Sequence, residues 1–157
     1  MGAAEMTNRL ESLEDWAAGL LGQLEPASRN TLARSVGQAL RRSQQQRIIA
    51  QQNADGSKYA PRKQRDLRGK EGRMKRKMKM FQKLRTASFL KAHGDGRSIN
   101  VGFTARVARI ARVHQFGLRD RAEKSARQVQ YEIREILGFT QADLDLVRDG
   151  LLDYLSQ

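Results

Sequence analysis

Ten basic side chains crowd one short stretch, where Arg62, Lys63, Arg65, Arg68, Lys70, Arg73, Lys75, Arg76, Lys77 and Lys79 have only Asp66 and Glu71 for company. Charges at that density repel one another, and a polyanion relieves the repulsion through counterion release without any base being read. Aromatic side chains that stack on bases are missing from the stretch apart from Tyr59 at its edge, which argues against a sequence-reading single-strand binder. The pattern predicts contact with phosphate or with an acidic protein surface. The plainer alternative is a solvated segment whose charge only aids solubility.

Groups suited to catalysis are scarce. His93 and His114 are the only histidines, and a zinc site built on them would need carboxylate partners at a ligand spacing such as HExxH, which does not occur. His114 falls on the apolar face of an expected helix, a packing position, and His93 beside Gly94 reads as a strand end. Ser88-Phe89-Leu90-Lys91 matches an SxxK pattern, but its companion SDN and KTG elements are missing. There is no Walker loop, GxGxxG or GxSxG, and Asp55-Gly56 lacks the downstream Glu of a calcium loop. The absence of cysteine removes disulfides, zinc fingers, iron–sulfur clusters and thiol catalysis together. The expectation is no enzyme, with no catalytic residue, cofactor or metal.

The 157 residues suggest one domain, and 39% hydrophobic against 30% charged residues leaves little apolar material for a second core. The formal charge of +13 attracts polyanions, but it is unevenly spread. Residues 1–25 hold five acids against Arg9 and residues 141–157 hold four against Arg148, while residues 41–91 hold seventeen basic residues against three acids. The ends are acidic and the middle is basic. Apolar runs such as Ala17-Ala18-Gly19-Leu20-Leu21 fall far short of a membrane span, and no secretory signal pattern opens the chain, so a soluble protein made in the cytoplasm is expected.

These residues have to be positioned by an α+β fold, a small antiparallel sheet packed by several helices with a long basic loop. Leu10, Leu13, Trp16, Ala17, Leu20, Leu21 and Leu24 recur at helical steps and predict a first helix. Pro26 suits the first turn of a second helix that continues through Leu32, Val36, Ala39 and Leu40 to about Gln52, its Gln-rich end projecting past the core with Arg47 exposed. Asn53 to Ser57 is turn chemistry, and residues 58–79, with Pro61, Gly69 and Gly72, lack apolar anchors and read as a mobile loop. Thr86 to Ala92 reads as a strand joined through Gly94-Asp95-Gly96 to a second strand in which Ile99, Val101 and Phe103 alternate. Thr104 opens a helix with Val107, Ile110, Ala111 and His114 on one face, ending near Gly117, and Arg106, Arg109 and Arg112 point elsewhere. Val129, Tyr131 and Ile133 alternate as a third strand. Thr140 with Asp143 approximates a capping box before a last helix carrying Leu144, Val147, Leu151 and Leu155. The single domain 1–157 thus divides into helices over 1–53, a basic loop over 54–80, sheet and central helix over 81–138, and a C-terminal helix over 139–157.

Several blocks in this order are familiar: Arg47-Ile48-Ile49-Ala50-Gln51-Gln52-Asn53, Asp55-Gly56-Ser57, Tyr59-Ala60-Pro61-Arg62-Lys63, Asp66-Leu67-Arg68 and Met80-Phe81-Gln82-Lys83-Leu84-Arg85. They continue through Val101-Gly102-Phe103, Arg106-Val107-Ala108-Arg109-Ile110-Ala111, Val113-His114-Gln115-Phe116-Gly117-Leu118-Arg119-Asp120 and Leu137-Gly138-Phe139-Thr140. Together they resemble the phage virion morphogenesis family, tail-completion proteins of peduovirus-type contractile-tailed phages; Lys70 to Met78 falls outside the matched blocks. The resemblance implies a non-enzymatic structural protein of the virion neck or tail, assembled in the host cytoplasm, that finishes the tail and lets it join a DNA-filled head. It also implies a homo-oligomeric ring, hexameric by family analogy, whose partners are other tail and neck proteins, with non-specific contact to phage DNA as a further expectation. The competing reading is a cytoplasmic non-specific nucleic-acid-binding protein.

Overall fold

A computed structural model describes residues 2–62, 78–121 and 124–156. Helix α1 spans Ala3–Leu21, starting ahead of Leu10 because Arg9 ties its first turns down, donating to Glu5 at 2.9 Å and to Gln141 at 2.6 Å. Helix α2 spans Pro26–Ala50, with proline at its start where the missing N–H costs nothing. It is the spine of the fold. Leu32, Val36 and Leu40 on α2 form one core cluster with Leu151 of the last helix, and Ile48, one face further along, forms a second with Leu90, Ala111 and Ile136. Val101 packs against both clusters and joins them.

Strands β1 (Leu90–Gly94) and β2 (Ile99–Phe103) form an antiparallel hairpin with Leu90 opposite Phe103, Ala92 opposite Val101 and Gly94 opposite Ile99. The hairpin lies on α2 across a seam of small residues. A Cβ placed on Gly37 would meet Ile99 at 3.2 Å, and one on Gly94 would lie 2.5 Å from the Ala33 carbonyl oxygen. The first strand starts later than Thr86 because β2 stops at Phe103, where Thr104 turns the chain into the next helix, and a strand cannot outrun its partner. Residues 83–90 close turns instead, with Thr86 Oγ1 donating to the Lys83 carbonyl at 2.8 Å and Leu90 N–H to the Thr86 carbonyl at 2.9 Å.

Helix α3 spans Ala105–Phe116 and ends at Gly117 in the left-handed conformation, φ 59°, that glycine adopts without penalty. Val107 and Ala111 are buried, but Ile110 is 48% exposed rather than turned inward, because Phe81 and Ile136 cover the Ala111–His114 row and leave Ile110 at its edge. Arg106, Arg109 and Arg112 point to solvent as expected. The third strand is shorter than its alternation predicts and does not join the hairpin. Only β4 (Val129–Gln130) pairs, with β3 (Arg119–Asp120), in a separate two-stranded sheet. Beyond Tyr131 the backbone donors are taken elsewhere, Arg134 N–H by the His114 carbonyl at 2.8 Å and Glu135 N–H by Asn53 Oδ1 at 2.9 Å, so the ladder cannot extend. Helix α4 spans Gln141–Leu155 and opens on the expected capping box, in which Thr140 and Asp143 each accept from the other's backbone N–H. No helix among the described residues is long and apolar enough to cross a membrane.

Candidate functional site

Of the ten basic candidates, Arg62 and Lys79 fall within the described residues; Lys63, Arg65, Arg68, Lys70, Arg73, Lys75, Arg76 and Lys77 lie outside them, as does most of the expected basic loop. The structure brings Arg62 and Lys79 together. Arg62 Nη2 donates to the Lys79 carbonyl at 3.4 Å, and Lys79 Nζ reaches the Ile49 carbonyl at 3.1 Å near the end of α2. The two chain ends that flank residues 63–77 are therefore held side by side.

What holds them is a set of polar side chains that stand in for backbone. Gln51, in the left-handed position that closes α2, accepts from Met80 N–H at 2.7 Å and donates to the Met80 carbonyl at 3.0 Å, as a neighbouring strand would. Gln115 does the same for Leu137, accepting at 2.9 Å and donating at 2.8 Å. Arg134, buried, donates from Nε to the Ala60 carbonyl and from Nη2 to the Pro61 carbonyl, both at 2.8 Å, which clamps the chain just before Arg62. A ladder of edge-to-face rings runs beside this clamp: Tyr59 to Phe81 at 5.7 Å, Phe81 to His114 at 4.8 Å, and His114 to Tyr131 at 4.9 Å. Phe81 takes a left-handed φ of 63°, unusual for an aromatic residue and held in place by its ring contacts. Burial drives the Tyr59 phenol up to about 12.

A second polar joint ties α2 to α4. Asp143 is 0% exposed, and its carboxylate accepts from Ser43 Oγ, from Gln44 Nε2 at 3.4 Å, and from the Thr140 N–H and hydroxyl, each at 2.9 Å. Gln44 Oε1 in turn accepts from Arg47 Nη2 at 2.5 Å and from Gly138 N–H at 3.1 Å. Arg47 also donates to the Ile136 carbonyl at 3.2 Å, and burial lowers its pKa from the usual guanidinium value. The expectation that this part of α2 projects into solvent is corrected: Gln44 and Ile48 are buried and Arg47 is half-buried. Spacing held the signal, since Leu32, Val36, Leu40, Gln44 and Ile48 repeat every four residues along one face. A polar residue on such a row is buried when distant groups satisfy it, and those that meet Gln44 lie 94 and 99 residues away.

His114 packs as expected, and its environment makes a measurable prediction. Burial, reinforced by Arg134 at 3.2 Å from Nδ1, lowers its pKa from 6.5 to about 4. The unfolded chain takes up a proton near pH 6.5 and the folded chain does not until near pH 4, so stability is full above that window and falls as pH drops through it. The loss is expected to be about 2 to 3 kcal/mol after partial exposure of the ring is allowed for. Urea unfolding between pH 7 and pH 4 on the native chain and on His114→Phe, which keeps the edge-to-face contacts, checks this; equal slopes in both would assign the acid sensitivity to other groups.

The polar interior thus joins chain crossovers. Among the described residues no group of three or more His, Cys, Asp or Glu side chains could hold a metal ion. These features define a small basic α+β protein whose buried polar groups hold its chain segments together. The chain belongs to the phage virion morphogenesis family, whose profile matches residues 8–156. Over 151 residues it is 38% identical to tail completion protein S of Escherichia phage P2, covering 96% of this chain and 99% of that protein. No solved structure matches the chain significantly.

Proposed function

We propose that this chain is a non-enzymatic structural protein of the virion that completes the tail and supports its joining to the head, acting as a homo-oligomeric ring in contact with other tail and neck proteins. The observation that carries the reading is the near end-to-end likeness to a tail completion protein, which leaves no large insertion for an added activity. The basic stretch has one of two roles in it. Facing DNA, its lysines and arginines offer sequence-independent phosphate contacts. Gripping acidic neighbours, they hold tail to head. Replacing Arg73, Lys75, Arg76 and Lys77 together with Ser is expected to lower the yield of infectious particles by at least about tenfold, as loss of several phosphate or ion-pair contacts predicts. Electron microscopy separates the roles, since lost DNA contact leaves joined particles that have leaked DNA and lost protein contact leaves free heads and tails. Normal yields of joined, infectious virions would reduce the stretch to a solvated surface.

The formal charge of +13 favours a second reading, a free non-specific nucleic-acid binder. Mass spectrometry of purified tails discriminates the two: a tail component is recovered in fixed copy number, and a free binder is absent from particles.

A further inference from the structure

Two exposed helix faces of this chain are chemical complements. On α4, Asp145, Asp149 and Asp153 stand at four-residue steps and so share one row. Arg148 beside them binds Asp145 at 3.3 Å and Asp149 at 2.9 Å, which leaves the face with an excess of two negative charges. The same face exposes Leu152, at 46%. On α3, Arg106, Arg109 and Arg112 stand at three-residue steps along the solvent side, and Arg109 pairs with Asp120, which leaves an excess of two positive charges. That face also exposes Phe116 at 61%, one turn on from Arg112. By the rise of a helix the acidic row is about 12 Å long and the basic row about 9 Å, a mismatch that arginine side chains can span.

We infer that α3 of one copy docks against α4 of a second copy, with Arg106 and Arg112 meeting Asp149 and Asp153, and with Phe116 packing on Leu152. The occupant is another copy because the two faces carry opposite charge excesses of equal size, each exposes a large apolar side chain, and one chain carries both. The contact is heterologous, since each face differs from its partner, so every subunit uses both faces and the chain of contacts closes into a ring when its rotation allows. Exposed ion pairs contribute little individually, and one helix pair buries less than the roughly 1,200 Å² of a standard interface, so the pairwise contact is weak and salt-sensitive. Ring closure, which gives each subunit two contacts, supplies the cooperativity. The inference rests on the proposed ring, whose subunit contact it identifies.

Sedimentation velocity on the full chain, at low and high salt over a wide concentration range, tests it. Native protein is expected to self-associate more strongly at low salt. Arg106→Asp with Arg112→Asp, or Asp149→Arg with Asp153→Arg, is expected to weaken association by at least about tenfold. An equimolar mixture of these two double variants restores it, because each acidic face then meets a basic one, and so does the chain carrying all four substitutions. Restoration also proves that the variants are folded. If either double variant associates like native protein, or if neither the mixture nor the fourfold variant recovers, the contact lies elsewhere while the ring stands. Native protein that stays monomeric throughout overturns contact and ring together and leaves the tail role to the virion experiment.

Discussion

Gly94→Ala is expected to lower the melting temperature by about 10 °C, and Gly94→Val to leave no folded protein, because the end of β1 crosses α2 with no room for a side chain. A Cβ at this position would lie 2.5 Å from the Ala33 carbonyl oxygen, 2.6 Å from its carbonyl carbon and 3.0 Å from Arg34 N, all backbone atoms of a helix interior. A side-chain neighbour could rotate away. Here either α2 moves or the hairpin lifts, and Ala33, Val36 and Leu90, all buried, lose their packing with it. Overpacking costs typically about 1 to 3 kcal/mol in an adaptable core, and contact with backbone places this site at or above the upper end. Set against a total stability of roughly 5 to 15 kcal/mol, the two further methyl groups of valine exceed what the fold tolerates. Calorimetry or thermal circular dichroism reads the result. A Gly94→Ala protein melting within a degree or two of native would mean that the hairpin does not approach α2 this closely.

Asp143→Ala is the second large effect, expected at about 3 to 5 kcal/mol and seen as a fall of roughly 2 M in the urea midpoint. The substitution removes the acceptor from Ser43 Oγ, Gln44 Nε2 and both Thr140 donors at once, with Gln44 buried and Ser43 and Thr140 half-buried. It also deletes half of the capping box that starts α4, the helix that brings Leu151 to the main cluster. Two controls isolate the cause. Asp145→Ala, on the exposed side of the same helix, should stay within about 0.5 kcal/mol of native. Ser43→Ala combined with Asp143→Ala should cost at least about 1 kcal/mol less than the separate losses added, since both act through one network. Additive losses would mean that the two groups do not share a bond in solution.

Short-range patterns in the sequence determined the starts of α2 and α4, the turn after α2, the alternation of Ile99, Val101 and Phe103, and the glycine that ends α3, because caps, turns and periodicity act over a few residues. The family resemblance was legible for the same reason, as blocks in fixed order. Tertiary structure decided which polar residues are interior. Gln44, Gln51, Gln115 and Arg134 look like surface residues in any window of sequence, yet each satisfies backbone or side-chain groups that are distant in the chain. Tertiary structure also cut the third strand short by giving its backbone donors other acceptors, and it turned Ile110 and Phe116 outward beside three arginines. Burying a polar group is favourable only when a partner meets it, and no local pattern records where a partner some 100 residues away will lie.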